Sequence, residues 1–99
     1  MDDVVFELFA SSVRREILAS LADDPGRELS VSEELANGDD QLRVSLYHHH
    51  LPKLADEAVI RWDRENGTVI RGPNFEACEP LLRFLDTADT ESVVPAVDR

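Results

Sequence analysis

The sequence predicts an α+β fold that is mostly helical, on three observations. Residues 41–58 carry a helical pattern that runs straight into a strand–turn–strand pattern over 59–72. A second helical pattern, SEELANGDD, precedes it and closes at a glycine. Basic residues gather in residues 41–73 while the rest of the chain is acidic. One helix for a DNA groove, a helix before it and a basic hairpin beside it make the plan of a winged helix-turn-helix. The expected architecture is that fold, with a two-stranded β-hairpin wing and a C-terminal helix.

The elements follow in order. Residues 3–10 (DVVFELFA) read as a first helix with Val5, Phe6 and Phe9 buried. Ser11 can cap a second helix, SVRREILASLA, by accepting from its free first-turn amides. Val13, Ile17 and Leu21 form its apolar stripe, with Leu18 beside it. Asp23-Asp24-Pro25-Gly26 is a turn signal, and Arg27 to Ser30 suits a short strand at the hairpin edge. Ser30 and Glu33 fit a capping box that opens a third helix, with Ser32 as the alternative cap. Gly38 suits its end, and Asp39 or Asp40 then caps the reading helix. On that helix Val44, Tyr47, Leu51, Leu54 and Ala58 recur at spacings of three and four and should face the core. Pro52 has no N–H for the carbonyl of His48, so the helix must kink near 48–52 or begin later. Val59, Ile60 and Trp62 lead into a hairpin and Val69 and Ile70 lead out; Asn66-Gly67 predicts a tight two-residue turn. A last helix near Glu76 takes Phe75, Cys78, Leu81, Leu82 and Leu85 on one face, and Pro80 is tolerable in its first turn. The pattern then fades, which gives one domain over residues 1–88 and a loose tail over 89–99.

Composition narrows the function. Ninety-nine residues make one small domain with a thin core. No apolar run has the length of a membrane span, the start MDDVVFELF lacks the basic region of a signal peptide, and the single Cys78 excludes an internal disulfide. A soluble cytoplasmic protein is expected. The net charge of −11 is unevenly spread. Residues 1–40 hold three Arg against eleven acids, residues 74–99 two Arg against six, and residues 41–73 five cations against four acids. The proposed reading surface is thus the one stretch that is not acidic. Nine Arg, one Lys and 21 acids resemble the composition of salt-adapted proteins; in molar salt a Debye length of about 3 Å screens self-repulsion. An acidic protein that binds basic partners or mimics DNA is the competing explanation, and the scarcity of Lys favours salt adaptation.

The candidate DNA-binding residues are Ser45, His48, His49 and Lys53 on the polar side of the reading helix and Arg61, Arg64 and Arg71 on the hairpin. Small, hydrogen-bonding and cationic side chains can donate to base edges and phosphates. A solvated helix face with ordinary surface arginines explains the same residues, and the adjacency of helix and hairpin decides for DNA. Consecutive helical residues point about 100° apart, so His48, His49 and His50 cannot converge on one metal ion; His50 is expected at the rim of the core. Tyr47 and Trp62 are expected to pack. Arg14 and Arg15 suit pairing with Glu16 and nearby acids, or a flanking phosphate contact. No phosphate loop, metal ligand set or nucleophile with a base is present, so neither enzymatic activity nor a cofactor is expected. Phe6, Phe9, Leu81, Leu82 and Leu85 exceed what so small a core can cover, which suggests a homodimer built from the first and last helices.

In this order the elements resemble the ArsR-like winged helix-turn-helix regulators. Ser11-Ser12-Val13-Arg14-Arg15-Glu16-Ile17-Leu18 looks like the family's opening D-P-x-R-x-x-I-L helix with Ser-Ser for Asp-Pro. Leu35-Ala36 looks like its L-A pair. His50-Leu51-x-x-Leu54 with Ala58-Val59-Ile60 looks like its H-L-x-x-L-x-x-x-G-L-V signature, with Ala58 in place of Gly. LYHHHLPKL with the following acidic tract is similar, more closely, to small winged-helix domains of unknown function from halophilic archaea. The resemblance spans residues 3–86 and implies a homodimer that binds double-stranded operator DNA and regulates transcription. Many such regulators sense metals through Cys and His, but this chain lacks their cysteine pair, and Cys78 falls on a core stripe. A winged-helix protein-interaction module without DNA binding is the alternative.

Overall fold

The computed structural model describes residues 3–92. Helix α1 (Asp3–Leu8) turns into α2 (Ser12–Ala22). Strand β1 (Leu29–Ser30) runs into a short, wide-wound helix α3 (Val31–Ala36). Helix α4, residues 40–56, has three pieces: α-helical Asp40–Ser45, wide-wound Leu46–His50 and α-helical Leu51–Asp56. Strands β2 (Ile60–Asp63) and β3 (Thr68–Arg71) form a hairpin, and a 3-10 turn (Phe75–Cys78) opens α5 (Glu79–Ser92). The fold is α+β and mostly helical, with a three-stranded antiparallel sheet in the order β1-β3-β2. Leu29 pairs with Val69, and Trp62 pairs with the same Val69 from the other side. The strand expected within 27–30 is therefore present and gives the hairpin a third member. The expected tail at 89–99 overlaps α5 at residues 89–92, and 93–99 lie outside the described residues. No helix among the described residues is long and apolar enough to cross a membrane.

Local chemistry sets the helix starts. The Ser11 hydroxyl accepts from the amides of Val13 (3.1 Å) and Arg14 (3.3 Å). The Ser30 hydroxyl accepts from Glu33 N at 3.2 Å, but the return bond to Ser30 N comes from Glu34 Oε1 at 2.7 Å rather than from Glu33. Asn37 ends α3 in the left-handed region at φ 48°, and Gly38 continues there at φ 85°. Asp39 then caps α4 through Leu42 N at 3.0 Å.

The wide turn in α4 answers the proline. Pro52 cannot donate to His48, and just before it the chain winds more loosely, with Leu51 N–H reaching Leu46 O, five residues back. The helix thus runs through Pro52 from Asp40 onward. One extra residue in a turn rotates the two halves of the helix against each other. Leu46, Leu51 and Leu54 are fully buried, whereas Val44, expected in the core, is 55% exposed.

The hairpin turn is longer than Asn66-Gly67 alone predicts. Asp63 pairs with Thr68, leaving a four-residue loop. Asp63 accepts from Asn66 N (3.1 Å) and Asn66 Nδ2 (2.8 Å), and Gly67 alone among the loop residues takes positive φ, 68°. These bonds to Asn66 hold the Asp63 carboxyl below its usual range. The Asp63 side chain thus substitutes for the positive φ that a two-residue turn demands of Asn66.

One core joins the layers: Val5, Leu8 and Phe9 of the N-terminal turns, Ile17, Leu18 and Leu21 of α2, the α4 leucines, and Val59, Ile60, Val69, Phe75 and Cys78. Burial pushes the Cys78 thiol up to about 11, so it stays protonated and unreactive at neutral pH. The residues expected to dimerise divide. Phe9 and Leu81 are buried within the single chain, because the N-terminal turns and α5 both pack onto this core; Leu82 and Leu85 are partly buried; Phe6, expected on the buried side of α1, is 54% exposed while Leu8 takes its place. Phe84, which the sequence did not single out, is 64% exposed.

Candidate nucleic-acid interface

Arg43, Val44, Tyr47 and His48 of α4 and Arg64 of the hairpin loop line a surface cleft of about 240 Å³. Of the lining residues, Tyr47 meets Trp62 edge to face, with centroids 5.2 Å apart and planes at 72°. The Arg64 guanidinium lies over the Trp62 ring at 4.4 Å, a cation–π contact that orders an otherwise flexible cation. Trp62 Nε1 is buried with no hydrogen-bond acceptor among the described residues. Arg43, also in the lining, has an ion pair with Asp40, 3.8 Å away with both side chains largely exposed. Such a pair contributes little, and the guanidinium is available to a ligand.

Of the residues expected from the sequence, His48 and Arg64 meet in this cleft. His49 is exposed and Ser45 half-buried; each follows a cleft residue and so lies about 100° around the helix. Arg61 is exposed and lines a separate groove with Glu28, Trp62, Asp63, Thr68 and Ile70; by strand alternation its side chain shares a sheet face with Asp63, Thr68 and Ile70.

Two expected residues have partners within the chain. Lys53 Nζ pairs with Glu7 Oε2 at 3.3 Å, binding α4 to α1. Arg71 donates from Nε to Leu21 O (2.9 Å) and from Nη2 to Ala22 O (3.0 Å), faces Glu79 Oε2 at 3.6 Å and lies over the Phe75 ring. It closes the end of α2 and ties it to α5, because β3 turns this side chain to the core face along with Val69. Arg43 and Val44 enter the cleft although neither was counted among the site residues. Their signal was present, since Arg43 is the first cation of the non-acidic stretch, but an unbroken α-helical spacing puts Val44 inside.

The histidines divide. His48 lines the cleft, while His50 turns to α2 with the exposed His49 ring edge to face against it, centroids 4.9 Å apart. Arg14, only 4% exposed, donates from Nε to Leu8 O (2.9 Å), from Nη2 to Glu7 O (3.0 Å) and from Nη1 to His50 Nδ1 (3.1 Å). Arginine only donates, so Nδ1 accepts and the neutral ring carries its proton on Nε2. Arg15 donates to Phe9 O. Both arginines therefore close the end of α1 through carbonyls rather than pairing with Glu16 as expected. Among the described residues no three His, Cys, Asp or Glu side chains converge to hold a metal ion.

Burial, then Arg14, then His49 hold His50 below its ordinary 6.5. Above that ordinary value both folded and unfolded rings are neutral and the contact is intact. As pH falls through it, the unfolded chain binds a proton that the folded chain resists, and stability declines until the folded ring titrates. Urea unfolding should therefore show stability falling from pH 7 to 5 by an amount that shrinks in His50→Asn, whose amide oxygen still accepts from Arg14. An unchanged difference between the two pH values in His50→Asn would remove His50 as the cause.

Comparison with known proteins returns one finding. The family described as Domain of unknown function (DUF7344) matches residues 6–70, from α1 into β3, which includes every residue of the cleft. No curated protein and no solved structure matches the chain.

Proposed function

This chain belongs to the DUF7344 family, a domain of unknown function, and from that premise we propose that it is a winged helix-turn-helix regulator that binds double-stranded DNA. In this reading α3, the turn 37–39 and α4 are the helix-turn-helix, α4 enters the major groove, and the β2–β3 hairpin is the wing. The observation that carries it is the cleft in which Arg43 and Arg64, 21 residues apart in an acidic chain, face one depression between helix and loop. A major groove about 12 Å wide admits one helix, and a cation on each side of the cleft suits the phosphates that flank it. Arg64 is already ordered on Trp62, so less freedom is lost on contact. Ser45 and His49, each next to a cleft residue on α4, would approach base edges.

The reading also takes the exposed Phe6 and Phe84 as part of a two-fold contact between copies, which would present two α4 helices to adjacent half-sites. The same two phenylalanines favour the second reading, a protein-interaction module without DNA binding.

The test is a binding selection against random duplex DNA in molar KCl. Arg64→Ala should weaken binding to all sequences about equally and reduce the salt slope by about 1. His49→Ala should instead change sequence preference, by roughly 1–3 kcal/mol at the affected base pair. If no duplex binds in any salt, or if these substitutions change nothing, the interaction module stands in its place.

A further inference from the structure

Val44 is an apolar side chain where the protein has no use for one. It is 55% exposed, while the core at this level of α4 is filled by Leu46, fully buried, with Leu42 packed against it. A β-branched residue also lowers helix propensity at an exposed position, so nothing within the fold favours it there. It lines the cleft beside Arg43, with Arg64 across from it.

We propose that Val44 is a specificity-determining residue that reads the 5-methyl group of a thymine. This rests on the DNA-binding reading above. The thymine methyl is the apolar group that base edges present in the major groove, and an aliphatic side chain is its complement. Arg43 and Arg64 would hold the neighbouring phosphates, which fixes the depth of Val44 against the base. The contact removes about one methyl group from water, and that corresponds to roughly fourfold in affinity.

The experiment takes the duplex recovered by selection and replaces each thymine in turn with deoxyuridine, which lacks only the methyl. Binding is measured for the wild-type chain and for Val44→Ala, whose folding is checked by its melting curve. One uracil position should weaken wild-type binding about fourfold and leave Val44→Ala binding unchanged. Tight binding that is indifferent to uracil at every position overturns the proposal and leaves DNA binding standing. A uracil penalty that persists in Val44→Ala overturns it as well, since another residue then makes the contact. Absence of binding to any duplex overturns this proposal and the DNA-binding reading together.

Discussion

Gly72→Ala should destabilise the protein by about 3 kcal/mol or more, the upper range for overpacking. A Cβ built at this position lies 2.3 Å from Ala58 O and 2.8 Å from the backbone N and C of Ile60. Neither neighbour can yield. Ala58 O accepts from Asn74 N at 2.8 Å, Val59 N bonds Leu54 O at 3.3 Å, and Gly72 N itself bonds Val59 O at 3.0 Å. Ala58 already sits in the left-handed region at φ 61°, which is costly for a residue with a side chain. It occupies the place of the glycine in the signature that this segment resembles, so the junction between α4 and the hairpin has no spare freedom. Gly26→Ala is the control: its nearest neighbour would be Asp24 Oδ1 at 3.8 Å, an ordinary contact. Urea unfolding in molar KCl should separate the two substitutions clearly. A Gly72→Ala protein within 1 kcal/mol of the wild type, the scale of an ordinary surface change, would contradict the close approach.

Arg14→Met should cost about 3 kcal/mol, from unpaired buried groups rather than lost volume. Met keeps most of the aliphatic stem but leaves Leu8 O, Glu7 O and His50 Nδ1 without the donors they now have. Lys is a poor replacement, because a single ammonium cannot reproduce a planar fork aimed at three acceptors. Arg14 and His50 should also be coupled: in a double-mutant cycle with His50→Ala, which removes the acceptor, the effects should fail to add by more than about 0.5 kcal/mol. Denaturation of the single and double variants measures both quantities. Additive effects, or an Arg14→Met protein as stable as the wild type, would show that α1 is held by its apolar residues alone.

The site was partly legible. Arg64 and His48 were identifiable because an arginine beside a hairpin tip and a histidine on a polar helix face are local properties. Val44 was misplaced because the spacing 44, 47, 51, 54 matches an unbroken α-helix, and the wide turn at Leu46–His50 changes which side faces inward. Pro52 marked the place of the irregularity without specifying its form, since a kink, a late start and a wide turn all satisfy a missing N–H. The partners of Arg71 and Lys53 were not legible for a different reason. A cation on a strand or helix reads as surface charge until a carbonyl or carboxylate distant in sequence is brought to it, as Leu21 is to Arg71.

By itself, the sequence determined the elements whose causes lie within a few residues. Ser11 and Asp39 start helices because the hydroxyl or carboxylate reaches amides two or three positions on. Val, Ile and Trp around Asn66-Gly67 make a hairpin for equally local reasons, and the mostly helical α+β class follows from their order. Only the tertiary structure decided which charges are free. Packing of α1, α2 and α5 draws Arg14, Arg71 and Lys53 into bonds that span from 6 to 50 residues of chain, and leaves Arg43 and Arg64 facing one cleft. Long cationic side chains have many rotamers and no strong local preference, so the partner that desolvates them is chosen by the fold as a whole.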